Sequence, residues 1–413
     1  MNMTSSATAA SDTASSSASG PSGLSISRVS RGFGLWMLTW WLLIGLPLAP
    51  RLPGGWLTLM GFALIGAAPL LVVLRGFGGL HYPSAFERVW ILRPFWYLQL
   101  ALPLLGLSAL IGVIVGLPFG AAGVSGRWMM LAVSVVLIVV ACVGYVGSRW
   151  LVVKELVAAH PDLPAELDGL RIVQISDLHV GPHTSKRFLT RVVQAVDAAR
   201  PELIAITGDQ VDDHAPDVQH FAAAFGALHA PLGVYAIAGN HDVYAGWRSV
   251  RAGLEAMGVT VLVNDALELQ RGTGRFWLAG TGDPAGLGWD RGGAAAAAPD
   301  IARTLAHVPA DAFTVALAHN PALWPALGKR GVALTLSGHT HYGQLSIPRL
   351  NWSLASPFLA HAMGHHRAGH SLLYINPGTN YWGLPLRIGA LPEVTVVTLR
   401  RTTGDAEIRP ASR

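Results

Sequence analysis

The sequence is poor in cysteine and in charge. Its single cysteine, Cys142, lies in an apolar run, so neither a disulfide framework within the chain nor a cysteine metal site is possible. Charged residues make up 13% of the chain and hydrophobic residues 51%, which is too apolar for an ordinary soluble protein. Part of the chain must therefore lie in an apolar environment.

Acidic residues are scarce only in the first third. Residues 1–150 hold eight arginines, no lysine and two acids, a net charge of +6, whereas residues 151–413 hold 21 basic and 22 acidic residues, a net of −1. The pI near 9.6 thus comes from the apolar third. We expect no nucleic-acid partner, because that would need a basic face on the polar part of the chain.

Four stretches without any charge predict four transmembrane helices. A spanning helix needs about 20 apolar residues. The buried helical core of a soluble protein would not be free of charge over such lengths. Tryptophans cluster near the ends of the stretches, as they do at membrane interfaces. The stretches are 32–50, 52–74, 94–126 and 128–148.

The expected organisation has four parts. Residues 1–31 are rich in Ser and Ala and are predicted to be a disordered tail, since they cannot bury enough apolar surface to fold. Residues 32–150 form the membrane part, 151–401 a globular domain, and 402–413 a flexible C-terminal tail. We expect a multi-pass protein of the cell membrane, with the lipid bilayer as a partner.

From about residue 151 the pattern is that of an α/β protein. Short apolar runs rich in β-branched residues predict strands, and the run 185–200 has the periodicity of a helix, as do shorter segments near 217–228 and 299–307. The predicted strands are 170–176, 201–209, 233–242, 276–283, 313–321, 333–341, 371–378 and 393–400.

Five of these strands are followed at once by side chains that bind metals. Singly, an Asp or His after a strand is usually a turn residue or a helix cap. Five in succession, all with oxygen or nitrogen donors, are hard to explain by turns, and strand ends are where α/β folds place their ligand sites. The candidate residues are Asp177 and His179, Asp209 and Asp212, Asn240 to Asp242, His319, and His339 with His341.

This donor set suits hydrolysis of a phosphate ester. The reaction needs a deprotonated water and neutralised phosphoryl charge, which two divalent ions about 3.5–4 Å apart supply when a carboxylate bridges them. Neutral His, carboxylate and amide oxygen suit Mn, Fe or Zn, and the donors do not distinguish among the three.

The same motifs resemble the calcineurin-like metallophosphoesterase superfamily, and the segments SDLHVG, TGDQVD, LAHNP and LSGHTH resemble its membrane-associated, phosphodiesterase-like subgroup. The resemblance covers about residues 151–401. It implies a fold of two packed mixed β-sheets flanked by helices, here preceded by an α-helical transmembrane bundle.

The resemblance also implies roles. Asp177, His179, Asp209 and His341 would hold one metal ion, while Asp209, Asn240, His319 and His339 would hold the second, with Asp209 as the bridge. His241 would contact the phosphate and protonate the leaving oxygen, and Asp242 would orient His241. Asp212 would be structural.

Two features fall outside this pattern. The subgroup usually has Gly where this chain has Tyr342, and a tyrosine there could narrow the pocket or stack on a substrate. Four histidines, His361, His365, His366 and His370, could line the substrate site or bind an ion, although a polar surface loop is the simpler interpretation.

These observations predict a membrane-anchored phosphoesterase acting through a metal-activated hydroxide, on a phosphodiester or a lipid-linked pyrophosphate. The alternative is a binding or regulatory membrane protein that kept the fold and lost catalysis. Against it, no donor of the set is missing. A transporter is disfavoured because the four stretches carry no ionisable residue. The sequence does not give the substrate or the oligomeric state.

The arginines predict the topology. With four spans, one side of the membrane has seven basic residues near the spans, from Arg28 to Lys154, and the other side has Arg51 and Arg127. The positive-inside rule then places the globular domain in the cytoplasm. We expect an alkaline phosphatase fused to Arg413 to be inactive and a fluorescent protein fused there to be bright. The reverse pattern would place the domain outside.

Overall fold

The computed structural model describes residues 26–77, 81–288 and 292–411. Its first five helices contain four candidate spans, Ser30–Arg51, Trp56–Gly76, Glu87–Phe119 and Ala122–Gly147, each long and apolar enough to cross a membrane. This confirms the four predicted apolar helices. The helices are α1 (Ile26–Leu48), α2 (Trp56–Ala67), α3 (Leu70–Phe77), α4 (Arg93–Gly116) and α5 (Ala122–Gly147).

The third span begins earlier than its uncharged stretch predicted. π-helical turns at Glu87–Leu92 precede α4, so charged residues lie inside the helical segment. Ser84 starts it: the Ser84 amide donates to the Glu87 carboxylate at 2.8 Å, and the Glu87 amide donates to Ser84 Oγ at 3.3 Å. This reciprocal pair is a capping box, and it fixes the start of a helix independently of hydropathy.

The remaining described residues form helices and two main β-sheets. The helices are α6 (Lys186–Ala198), α7 (Val218–Phe225), α8 (Asn240–Ala256), α9 (Ile301–Thr304) and α10 (Trp324–Gly328). The strands are β1 (Val152–His160), β2 (Arg171–Ile175), β3 (Leu203–Ile206), β4 (Val234–Ala236), β5 (Thr260–Val261), β6 (Asp265–Arg271), β7 (Gly274–Gly280), β8 (Thr314–Leu317), β9 (Leu334–Ser337), β10 (Ser346–Ile347), β11 (Trp352–Ser353), β12 (Gly364–Ala368), β13 (Ser371–Ile375), β14 (Glu393–Arg401) and β15 (Glu407–Pro410).

Both main sheets are mixed, which confirms the predicted fold class. The first has the order β15-β1-β14-β2-β3-β4-β5, and β2 to β5 run parallel. The second has the order β12-β13-β9-β8-β7-β6, with β7, β8, β9 and β13 parallel. Because parallel strands end at one edge, the loops after them are brought together.

The central strands of both main sheets are buried. Between the sheets, Ile172 and Leu203 of the first belong to one core with Val315 and Leu334 of the second, and all four are at most 1% exposed. Helices α6 to α8 cover the outer face of the first sheet through residues such as Val192. This explains why these strands are near-continuous apolar runs.

The two predicted tails differ from the structure. Helix α1 begins at Ile26, so residues 26–31 are helical, while the rest of the predicted N-terminal tail lies outside the described residues. Residues 407–410, predicted to be flexible, form β15 antiparallel to β1. Ile408 is 5% exposed and joins the core between the sheets, which is the physical reason that this segment is ordered.

The boundary predicted at residue 150 also differs. The chain divides into two compact units, one within Met1–Phe77 and Leu100–Leu131, the other within Gly78–Gln99 and Ala132–Arg413. The start of the third span and most of the fourth therefore cluster with the globular domain.

Residues before α4 hold this second unit together through polar contacts. Arg88 Nη1 donates to a carboxylate oxygen of Asp212, and both side chains are largely buried. Tyr82 stacks on His214 with ring centroids 4.1 Å apart, and its hydroxyl donates to Asp217 at 2.6 Å. A segment outside the predicted domain thus fixes the loop that follows β3.

Removal of Arg88 should destabilise the second unit. In Arg88→Met the carboxylate of Asp212 stays buried without its cation, which costs about 3 kcal/mol of unfolding free energy. Denaturant unfolding of the full chain in detergent measures this. Arg75→Met, which removes an exposed arginine from α3, is the control. The double variant Arg88→Met/Asp212→Asn should recover part of the loss, and an unchanged midpoint in Arg88→Met would contradict the role of the pair.

Candidate metal centre

The loops after five parallel strands bring the predicted ligands to one place. The first sheet supplies Asp177 after β2, Asp209 after β3 and Asn240 at the start of α8. The second supplies His319 after β8 and two histidines after β9. Neither sheet alone carries the whole set, so the site exists only because the two sheets pack with these edges together.

One group of donors consists of Asp177, His179 and His341. The Nε2 atoms of the two histidines lie 3.0 Å apart, and His341 Nε2 lies 3.2 Å from Asp177 Oδ1. One donor atom from each residue fits within a 4.8 Å cluster, and all three residues are buried. Converging nitrogen and carboxylate donors of this kind fit a divalent cation.

The second group contains Asp209, Asn240, His319 and His339. Asn240 Oδ1 lies 2.8 Å from His339 Nδ1 and 3.2 Å from His319 Nε2. Asp209 Oδ2 lies 3.3 Å from His319 Nε2 and 3.6 Å from His179 Nε2 of the first group. Asp209 therefore faces donors of both groups.

The backbone is strained at most of these residues. A positive φ is rare for residues other than glycine and costs about 1–3 kcal/mol each. Such strain is usually found at functional sites. The site residues with positive φ are Asp177 (52°), His179 (41°), Asp209 (51°), His339 (71°) and His341 (48°).

Two motif glycines are required by close approach. A Cβ on Gly239 would lie 2.2 Å from Asp209 Oδ1, and one on Gly338 would lie 2.2 Å from Asp177 Oδ2. Both contacts are far below van der Waals distance. The glycines before Asn240 and His339 therefore let two loops close onto the carboxylates of the site.

The local field favours cations. Burial alone would raise the pKa of Asp177, but the charge and hydrogen bond of His341, together with the charge of His319, lower it. Burial lowers the pKa of His339 to about 4, so this ring is neutral and its nitrogens can bind metal. Burial would also lower the pKa of His319, yet the carboxylate of Asp209 raises it, because that carboxylate attracts positive charge.

His241 lies beside the two groups with its ring held from one side. Its Nδ1 is 2.9 Å from the carbonyl oxygen of Asp212 and 2.8 Å from Asp213 Oδ1. Burial works to lower the pKa of His241, but the charges of Asp209 and Asp213 raise it to about 10. The ring centroid lies 4.7 Å from that of His179.

The contacts differ from the prediction that Asp242 orients His241. The Asp242 carboxylate accepts from the amides of Gln210, Val211 and Gly239, at 2.9–3.2 Å. It thus ties the loop that carries Asp209 to the start of α8. Asp213, which the sequence analysis did not single out, holds the His241 ring, since its side chain can reach Nδ1 and that of Asp242 points into the loop.

Two further side chains near the site were missed. Asp283 follows β7 as the other acids follow β2 and β3, so the strand-end pattern could have found it. It is 1% exposed, and burial raises its pKa to about 6. Arg387 is fully buried, with Nη2 2.7 Å from His341 Nδ1. The sequence analysis assigns no role to Arg387, because its contact depends on the tertiary fold.

Tyr342 and the histidine cluster do not belong to the metal centre. Tyr342 is 5% exposed, its hydroxyl donates to the Ile375 carbonyl at 2.6 Å, and it packs in a small core; the cavity that it lines contains none of the metal donors. His361 and His366 pack beside Trp324 near the edge strand β12.

Comparison with known proteins agrees with this geometry. Residues 170–343 match the family model described as calcineurin-like phosphoesterase. A Bacillus subtilis protein named uncharacterized metallophosphoesterase YkuE is 32% identical over 247 residues, which cover 58% of this chain and 82% of that protein. This chain belongs to the calcineurin-like metallophosphoesterase family.

A second relative of this metallophosphoesterase has a membrane part in its name. The "transmembrane protein with metallophosphoesterase domain" of Danio rerio is 33% identical over 251 residues, 58% of this chain and 55% of that protein. The chain thus spans little more than half the length of that relative. Among solved structures, a putative 5'-nucleotidase from Staphylococcus aureus aligns over 58% of this chain and 56% of its own, with 13% identity and a TM-score of 0.36, which is too low for a conclusion.

Asp209→Asn should remove metal from both groups of donors. A neutral amide could not balance two cations bound there, and the Asp209 carboxylate faces both groups. Elemental analysis of the purified variant measures the bound metal. Asp300→Asn, at a helix cap remote from these donors, is the control and should keep its metal. Two full equivalents of tightly bound metal in Asp209→Asn would contradict the bridging position.

Proposed function

We propose that this chain is a membrane-anchored hydrolase that cleaves a phosphoester with two divalent ions, Mn, Fe or Zn. The observation that carries the proposal is the complete set of seven donors in two groups that share Asp209. Asp177, His179, Asp209 and His341 would hold one ion. Asp209, Asn240, His319 and His339 would hold the other. When bound, such ions supply an activated water and neutralise phosphoryl charge.

His241 is the residue that we assign to proton transfer. Its Nδ1 is engaged by the Asp212 carbonyl and by Asp213, which leaves Nε2 to face the substrate. The Asp213 carboxylate stabilises the protonated ring, so His241 can give a proton to the leaving oxygen. The contacts of Asp242 support a different role, which is to hold the loops of Asp209 and Asn240 together.

Retention of catalysis is favoured over a lapsed enzyme. A lapsed enzyme usually loses a metal ligand or the histidine that transfers the proton. Here five site residues keep a positive φ, and both His241 and its carboxylate partner are in place.

A specific surface supports a substrate carried by the bilayer, a lipid phosphodiester or a lipid-linked pyrophosphate. The segment 347–359, which follows the His341 motif, exposes several large apolar side chains, including Leu350 at 71% and Phe358 at 81%. Trp382, 48% exposed, has its ring centroid 5.6 Å from that of His241. Large exposed apolar patches mark membrane or ligand contacts.

The segment 382–387 connects this apolar surface to the fourth candidate span. Gln344 Nε2 donates to the Trp382 carbonyl at 3.0 Å, and the Arg387 amide donates to the carbonyl of Gly144 in α5 at 2.9 Å. The apolar surface and the site entrance are therefore linked to a membrane helix. A substrate in the bilayer would meet the metal centre from this side.

The proposal is tested with purified full-length protein reconstituted with each metal ion in turn. We expect hydrolysis of bis-p-nitrophenyl phosphate to exceed that of p-nitrophenyl phosphate, and lipid extracts then to yield a phosphate-containing product. Leu350→Ser and Phe358→Ser should lower turnover of vesicle-borne lipid while sparing the soluble diester. No hydrolysis of any phosphoester at full metal occupancy would favour the lapsed alternative.

His241→Ala should separate catalysis from metal binding. We expect near-normal metal content, because the neighbouring Asn240 and not His241 faces the second donor group, with activity reduced about 10²–10⁴-fold. The loss should be smaller for a p-nitrophenolate leaving group, which barely needs a proton. Equal losses for good and poor leaving groups would assign His241 to phosphate positioning only, and loss of metal would make it a ligand.

A further inference from the structure

A cavity beside the metal centre is lined by four arginines. It has a volume of about 220 Å³, and its wall includes Arg93, Arg149, Arg187 and Arg191. We call it the arginine cavity. The other lining residues are neutral, and neither an aspartate nor a glutamate is among them.

These arginines lack counter-charges within the described ranges. None of the four forms an ion pair with a carboxylate among residues 26–77, 81–288 and 292–411; Arg93 donates to the hydroxyl of Tyr381, and Arg191 to the carbonyl of Arg149 at 3.1 Å. Arg187 and Arg191 are four residues apart on α6, where like charges repel. A bound anion would relieve this repulsion.

Two further features of the cavity, neither of them a charged side chain, favour the binding of an anion. Helix α6 begins at the cavity with Ser185 as its N-cap, and this end of a helix carries positive potential. His183 Nδ1 is buried and has no hydrogen-bond partner among the described residues. Burial, with the charges of Arg88 and Arg93, lowers the pKa of His183 to about 3, so this ring is a neutral donor or acceptor for a ligand.

The position of two arginines indicates which anion is available. Arg149 lies two residues after the end of α5, and Arg93 is the seventh residue of the candidate span Glu87–Phe119, so both lie within about two helical turns of an end of a candidate membrane span. Phospholipid phosphates lie at this level of a bilayer, and basic pockets between membrane helices bind acidic head groups. Arginine binds phosphate through two parallel hydrogen bonds.

We propose that the arginine cavity binds the phosphate of an anionic phospholipid. The proposal rests on the membrane anchoring proposed above, but it does not depend on hydrolysis. The site is distinct from the metal donors, although its wall contacts their backbone. Thr184 Oγ1 donates to the His179 carbonyl at 3.3 Å, and the Asn380 amide donates to the Asp177 carbonyl at 3.3 Å. Lipid in the cavity would thus hold the ligand loops in place.

The test measures binding by the full-length, metal-loaded protein in detergent. Thermal unfolding is followed against increasing dioctanoyl phosphatidylglycerol, dioctanoyl phosphatidylcholine or inorganic phosphate. We expect stabilisation that depends on Arg187 and Arg191 from phosphatidylglycerol only. In Arg187→Gln/Arg191→Gln the apparent Kd should rise about 30-fold, since each arginine near a membrane surface contributes about a fivefold factor.

A matched control removes two cations elsewhere. Lys329→Gln/Arg330→Gln has the same change of charge at exposed positions outside the arginine cavity, and it should bind phosphatidylglycerol as the unchanged protein does. Phosphate bound at the metal centre would stabilise all of these proteins alike, so the difference between the two double variants reports the cavity.

Three results would overturn the proposal. Equal stabilisation by phosphatidylcholine would show a response to acyl chains, and equal loss of binding in both double variants would show a response to net charge. A shift by inorganic phosphate as large as that by the lipid, and sensitive to Arg187 and Arg191, would assign the cavity to a soluble anion. A protein that binds the lipid here but hydrolyses nothing would leave this proposal standing and remove the proposed function.

Discussion

The position of the Asp209 carboxylate, facing donors from two different sheets, is the constraint on which the rest of the structure depends. His179 reaches it from the first sheet and His319 from the second. The two sheets must therefore pack with the ends of β3 and β8 together, and the apolar core between them sets that arrangement. Gln174 reinforces it, since its Nε2 donates to Thr207 Oγ1 and to the Ser337 carbonyl, both at 2.9 Å.

The sequence predicted the parts of this arrangement that depend on local pattern. Apolar runs located the strands, and polar residues directly after them located the donors, because parallel strands end at a common edge. It missed what depends on contacts between distant segments. Asp213 rather than Asp242 reaches the His241 ring, Arg387 reaches His341 from 46 residues away, and Ile408 draws the C-terminal segment into the sheet. Each of these follows from packing and leaves no periodic trace in the sequence.

Hydropathy predicts the four candidate membrane helices, but it does not show how one of them joins the domain that carries the metal donors. Arg88 was counted as one of several positive-inside residues, whereas in the structure it is largely buried against Asp212. The capping box formed by Ser84 and Glu87 starts the helix just before Arg88. Arg93, counted in the same way, lines the arginine cavity. Charges at the ends of membrane helices can thus serve the neighbouring domain as well as topology.

The pairing of Arg88 with Asp212 bears on how this chain can be handled as a soluble protein. Truncation at residue 151 follows the apparent domain boundary, but it removes Arg88 and Tyr82 and leaves Asp212 and His214 without the partners that cover them. It would also bare the surface of residues 385–387, which the end of α5 and Tyr97 now contact. A soluble form designed around this protein should therefore carry residues 81–99 with it, joined by a linker and with their lipid-facing side chains made polar.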